Sequence, residues 1–176
     1  REVGNGLALE RAPGASIELT LTSDPSKALG FSFNTISQWI QTGANFSGSL
    51  ELALRPAPAL SLELRPTINH TLGEPRFAAE GELPGQYIFG KLRATSTSLT
   101  LRASYAFLPR LTLQMYGQLF LASGDYSSLT ELRGSGPRPA RLWLSELQPL
   151  SGGLSDNPDF QEAALNLNVV MYWEYM

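Results

Sequence analysis

Side chains able to do chemistry are few in this sequence, and their types narrow what that chemistry can be. The one histidine is His70, and there is no cysteine. A structural zinc site or a thiol catalyst therefore has almost no ligands to draw on. His70 stands between Asn69 and Thr71 at the end of a predicted strand and reads as a loop residue, not a metal ligand. Asp156, Asn157 and Asp159 offer oxygen atoms in a long connecting segment, but without the spacing of an EF-hand loop, so no metal site is assigned to them. No glycine-rich phosphate loop joins a strand to a helix, and any nucleophile would have to take His70 as its base. The residues point away from catalysis and call for no cofactor. Asn45-Phe46-Ser47 and Asn69-His70-Thr71 match glycosylation acceptors, a pattern short enough to arise by chance.

What remains is a set of polar and charged side chains: Glu51, Arg55, Glu63, Arg65, Arg102, Gln114, Tyr116 and Gln118. They could line a path for a polar solute. As charges that neutralise one another inside a barrel lumen and hold strand register they need no solute, and that reading is preferred.

The elements that position them are strands. Ser16 to Thr22 and Ala28 to Asn34 alternate apolar and polar residues, with Ile17, Leu19, Leu21, Leu29, Phe31 and Phe33 on the apolar side. Between them Ser23-Asp24-Pro25-Ser26-Lys27 predicts a turn, with an Asp side chain bonding its own backbone. Leu50, Leu52 and Leu54 alternate with Glu51, Ala53 and Arg55; Leu62 and Leu64 alternate with Ser61, Glu63 and Arg65. Residues paired across strands share a face, so paired numbers here sum to an even value. A sum of 116 puts Glu51 opposite Arg65, Leu52 opposite Leu64 and Leu54 opposite Leu62, around a Pro56 to Leu60 loop. The sum of 114 would oppose Glu51 and Glu63, so the first register is predicted.

A third hairpin turns at Leu108-Pro109-Arg110 and sets Leu99, Leu101, Tyr105 and Phe107 against Leu111, Leu113, Met115, Leu119 and Leu121. The opposite face carries Ser98, Thr100, Arg102, Gln114, Tyr116 and Gln118, with Arg102 across from Tyr116, where a guanidinium can lie over the ring. The alternation continues back to Tyr87, which predicts one long strand from Gln86 to Phe107, or two with a break near Ala94. A last strand, Ala164 to Met176, has Leu165, Leu167, Val169, Met171, Trp173 and Tyr175 on one face.

Predicted connections alternate short (Ser23 to Lys27, Pro56 to Leu60, Leu108 to Arg110) and long (Ile36 to Phe46, His70 to Gly85, Ala122 to Ala163). That is the layout of outer-membrane barrels. The domain reading is one partial barrel over residues 1–176, with an incoming loop at 1–14 and a long external loop at 122–163. Within that loop Ala140 to Leu150, with Trp143, reads as a collapsed segment.

Composition agrees. The 176 residues amount to one domain, and 16% charged is low beside roughly 25% for soluble domains. Lys27 and Lys91 are the only lysines, whereas a solvated sheet face is usually rich in lysine and glutamate. A net charge of -3 gives no basic field for nucleic acid. No apolar run is long enough for a membrane helix, so any membrane role must use strands. Tyr87, Phe89, Tyr105, Phe107, Trp173 and Tyr175 fall near strand ends and would suit membrane-interface girdles. Arg1 is followed by no secretory segment, so either a signal was removed or the chain is a fragment. Seven strands leave an odd count, so the chain reads as part of a larger barrel.

One resemblance bears on this. The run from Ala94 to Phe120, then Ala122-Ser-Gly-Asp-Tyr, Asn157-Pro-Asp-Phe and Val169 to Tyr175 with its Trp-Glu-Tyr, resembles a bacterial family of unknown function. In that family an outer-membrane barrel follows an N-terminal domain similar to a family-nine carbohydrate-binding module. The resemblance runs from about Leu19 to the end. Members continue after Trp-Glu-Tyr with a Pro-Gly-Ser turn and another aromatic-rich strand, which this sequence lacks along with the upstream module. The resemblance implies a C-terminal fragment, a link to carbohydrate handling and no catalytic residues.

The expectation is an all-β antiparallel up-and-down meander of 7–8 long strands, part of a transmembrane barrel in a Gram-negative outer membrane. It would serve as a pore, transport or surface-anchoring element, not an enzyme. Its partners would be outer-membrane lipid, the rest of a larger barrel and a carbohydrate-binding domain. The competing reading is a soluble β-sandwich or lipocalin-like barrel that binds an apolar ligand with the same leucines turned inward.

Overall fold

The structure, a computed structural model, describes residues 8–11, 13–24, 26–82, 86–133, 141–152 and 157–175. Its strands in chain order are β1 (Ala8–Leu9), β2 (Gly14–Thr22), β3 (Leu29–Ile40), β4 (Gly43–Ala57), β5 (Leu60–Glu80), β6 (Gln86–Leu108), β7 (Leu111–Arg133), β8 (Arg141–Leu142), β9 (Gln148–Pro149) and β10 (Phe160–Trp173). A 3-10 turn at Leu144–Glu146 interrupts them. Seven strands pair in the order β10-β7-β6-β5-β4-β3-β2, and β9 adds to the far end of β7. Every neighbour on that path is antiparallel, which is the up-and-down meander expected. The strand over residues 86–108 is unbroken.

Register follows the side-chain arithmetic. Leu52 pairs with Leu64 and Leu54 with Leu62, and Ser49 with Thr67 keeps the same sum, so Glu51 falls across from Arg65. Arg102 pairs with Tyr116. The turns are tighter than expected. β4 reaches Ala57, which pairs with Leu60, and a register shift after Leu54 absorbs Pro56, whose missing N–H suits an irregular position. At the third hairpin Leu108 pairs with Leu111 after a similar shift. In the first turn Asp24 Oδ1 accepts the Ser26 backbone N–H at 2.9 Å and the Ser26 hydroxyl at 2.7 Å, the local bond its sequence predicts; Pro25 lies outside the described residues.

The long connections need correction. β3 and β4 meet across Ile40 and Gly43, β5 extends to Glu80, and β7 extends to Arg133. Residues 122–133 and 160–163, read as external loop, are strand; of residues 1–14, Ala8–Leu9 form β1 and Gly14 opens β2. The physical reason is that these stretches lack clean apolar alternation, so periodicity passes over them, while backbone pairing continues. Irregularities mark the extensions. Gly73 has φ +75° beside the shift between Leu72 and Glu74, and Ser128 has φ +49° in β7. A Cβ at Gly73 would collide with the Thr42 carbonyl oxygen, so both the left-handed backbone and the close approach require glycine.

The buried hydrophobic side chains gather at one end. Leu9, Tyr87, Phe89 and Leu142 form a small core, with Phe77, Leu132, Leu144 and Leu147 packed against it. β1 and β8 pair in parallel there, so the segment around Trp143 folds against the ends of β6 and β7. Elsewhere the sheet is a single layer. Leu19, Leu21, Phe31, Leu54, Leu99, Leu101, Met115, Leu119 and Leu121 are all exposed, and Leu165, Leu167 and Trp173 are 70%, 71% and 71% exposed.

Candidate functional site

The two faces of this sheet differ in kind, and the pairing assigns each residue to one of them. On one side Leu64, Leu101, Gly117 and Leu167 lie in a row across β5, β6, β7 and β10; Pro66, Leu99, Leu119 and Leu165 form the next. Leu52 and Phe31 carry the first of these rows onto β4 and β3. The result is a continuous apolar band. On β6 it runs from its edge at Thr97 to Phe107, about 34 Å along the strand.

At its turn-side margin the band is aromatic. Tyr105 and Phe107 meet edge to face with ring centres 4.7 Å apart, and Trp173 and Tyr175 do so at 6.2 Å. Tyr87 and Phe89, predicted to join such girdles, do not. They are buried against Phe77, whose ring lies 6.3 and 6.0 Å from theirs. Apolar rings at the end of a long strand look alike in sequence whether a lipid or another part of the chain covers them.

On the other side Glu63, Arg102, Tyr116 and Asn168 form one row and Arg65, Thr100, Gln118 and Asn166 the next, with Glu51 in register with Arg65. Ser61, Ser104, Gln114 and Val170 form a third. Seven of the eight predicted polar residues therefore share this face; Arg55 sits at the bulge before the β4–β5 turn, where its N–H donates to the Ala28 carbonyl at 2.7 Å. Arg102 Nη1 reaches Glu63 Oε1 at 3.4 Å, and its guanidinium carbon lies 5.8 Å from the centre of the Tyr116 ring. Tyr116 donates its hydroxyl to Gln118 Oε1 at 3.0 Å. Glu51 and Arg65 form no ion pair among the described residues. Arg102, one strand further on, takes the salt bridge with a carboxylate instead.

Hydrogen bonds knit the rest of this face. Asn34 Nδ2 donates to Glu18 Oε1 and to Thr20 Oγ1, both at 2.9 Å. The Ser47 hydroxyl donates to Asn69 Oδ1 at 2.8 Å, Asn69 Nδ2 donates to the Ser96 hydroxyl at 3.3 Å, and Thr67 and Ser98 hydroxyls meet at 2.7 Å. Further along, Asn45 and Arg76 both donate to Glu74 Oε2, at 3.1 and 3.0 Å. Asn34 and Glu18 were not singled out from the sequence, and Asn45 and Asn69 were noted only as glycosylation-acceptor matches, although the same parity rule places Glu18 and Asn69 with the others.

A groove of about 450 Å³ opens on this face between Glu63, Arg102, Gln114, Tyr116 and Asn168. It presents carboxylate, guanidinium, amides and a phenol, which can exchange hydrogen bonds with water or a polar solute. His70 is not the loop residue expected. It sits within β5, and its Nδ1 hydrogen-bonds Thr95 Oγ1 at 2.8 Å. Asp159 accepts the Tyr126 N–H at 2.8 Å and donates its own N–H to Asn157 Oδ1 at 3.1 Å, so both serve the loop; Asp156 lies outside the described residues.

No family model, curated protein or solved structure matches this chain.

Proposed function

We propose that this sheet is a wall of a transmembrane β-barrel in a Gram-negative outer membrane, its leucine band against lipid and its polar face toward a water-filled lumen. One observation carries the reading: an exposed apolar band about 34 Å long on β6, which at the roughly 40° tilt of a barrel strand would stand about 25 Å tall, backs a face whose polar groups bond one another. A single-layer sheet in water would leave this band wet, at a cost of roughly 25 cal/mol for each Å² of apolar surface. Among the described residues β2 and β10 each pair on one side only, which leaves room for the rest of a larger barrel. The function is that of a pore or transport wall, with surface anchoring as its simplest form. A tie to carbohydrate handling rests on the family resemblance alone.

The sequence has no cysteine, so single-cysteine variants report position cleanly. In the full chain refolded with phospholipid vesicles, cysteines at 99, 101 and 103 should resist a water-soluble maleimide and be quenched by lipid-borne spin labels. Those at 98, 100 and 104 should react. Equal reactivity on both faces, or a folded monomer in buffer without detergent or lipid, would overturn the proposal.

A further inference from the structure

Outward from the band's edge at Thr97, the β6 residues on the same side follow a sequence of their own: Thr95, Arg93, Lys91. Hydroxyls replace leucines, and then two cations follow. Arg93 lies four residues past Thr97, about 13 Å along the strand and about 10 Å further in height. Lipid headgroups occupy roughly 5–8 Å beyond each edge of the hydrocarbon, and a long arginine stem can reach back across the difference. Arg93 and Lys91 are exposed, and neither forms an ion pair among the described residues, although Asp125 is the cross-strand partner of Arg93. One row below, His70 is fixed by its bond to Thr95. His70, Arg93, Thr95 and Ser123, together with the carboxylates Asp125 and Asp159, line a shallow groove of about 530 Å³ open at this level.

We propose that His70, Arg93 and Lys91 form a docking belt for the phosphate of a membrane lipid headgroup. The inference rests on the membrane reading and adds the chemistry of the lipid at one margin of the band. Arg93 supplies planar paired donors for phosphate oxygens, Lys91 adds charge above it, and the Thr95 and Ser123 hydroxyls and the imidazole supply further hydrogen bonds.

The test uses the full chain refolded into phosphatidylcholine vesicles containing phosphatidic acid, extracted into mild detergent and weighed intact by native mass spectrometry. The chain should retain phosphatidic acid in preference to phosphatidylcholine. Arg93→Gln and Lys91→Gln should each lower the retained fraction about fivefold, the effect of one cation near a lipid surface, and Asp125→Asn should raise it. Inorganic phosphate should not displace the lipid. Unchanged retention in the double variant, or full displacement by inorganic phosphate, overturns the inference while the membrane reading stands. Failure of the cysteine-protection pattern overturns both.

Discussion

Arg102 and Tyr116 face each other across the β6–β7 ladder, with the guanidinium carbon 5.8 Å from the ring centre. The same guanidinium holds Glu63 at 3.4 Å, so one side chain ties three strands together on the polar face. Both contacts are partly exposed, which sets their size. A double-mutant cycle of Arg102→Met and Tyr116→Leu, read by urea unfolding in detergent micelles, should give a coupling of about 0.5–1 kcal/mol. Glu63→Gln should cost at most about 1 kcal/mol and lose its effect in high salt.

The two faces should respond oppositely to one substitution. Leu101→Arg, near the middle of the band, should destabilise the lipid-inserted chain by about 2–4 kcal/mol, and Phe107→Arg at its margin by about 0–1 kcal/mol. Thr100→Arg, one residue away on the polar face, should cost little. Unfolding midpoints in phospholipid vesicles read all three. Equal costs at 100 and 101 would contradict the assignment of faces.

Gly73 carries the bulge in β5. Gly73→Val forces a branched side chain into a left-handed backbone and against the Thr42 carbonyl. It should cost well over the roughly 1–2 kcal/mol of the backbone strain alone, whereas Gly73→Asn, a residue that tolerates this conformation, should recover part of it. Thermal unfolding of the two variants gives the comparison.

The first turn should be sensitive to acid. The Ser26 hydroxyl and then the Ser26 backbone N–H hold the Asp24 carboxyl below its ordinary value of 3.8. A lowered folded-state value means that the turn's contribution is complete above pH 3.8 and is lost as the pH falls through the lower value. A carboxyl-carbon NMR titration should place Asp24 below 3.8, and Ser26→Ala should move it upward.

At the other extreme of pH, burial raises the Tyr126 phenol above 10.0, against a smaller opposing pull from Arg76. Its hydroxyl donates to the Phe77 carbonyl at 3.2 Å. The neutral form is the one the fold favours, so this contribution is intact below pH 10.0 and disappears as the phenol ionises at higher pH. Absorbance titration should show a late-ionising tyrosine that Tyr126→Phe removes.

The sequence made the middle of the sheet legible and hid its extensions. Between Leu50 and Arg65, and between Ser98 and Gln118, apolar side chains fall on nearly every second residue, and charge pairing alone chooses between registers. Above the band that signal ends. The outward residues there are Thr95, Arg93, Ser123 and Asp125, so nothing in the alternation says that backbone pairing continues to Glu80 or Arg133. Pro66 and Pro75, unusual inside a strand, deepen the concealment. The small core failed for a different reason. Tyr87 and Phe89 are covered by Leu9 and Leu142, partners more than fifty residues away in sequence, and no local pattern announces such a meeting.

The strands β5, β6 and β7 run for 21, 23 and 23 residues, about twice what the band requires. The surplus is ladder, not slack chain, and its peptide groups are already engaged with neighbours. A protease needs an extended segment it can pull free, so these strand extensions should offer little to digest even where they stand farthest from shelter.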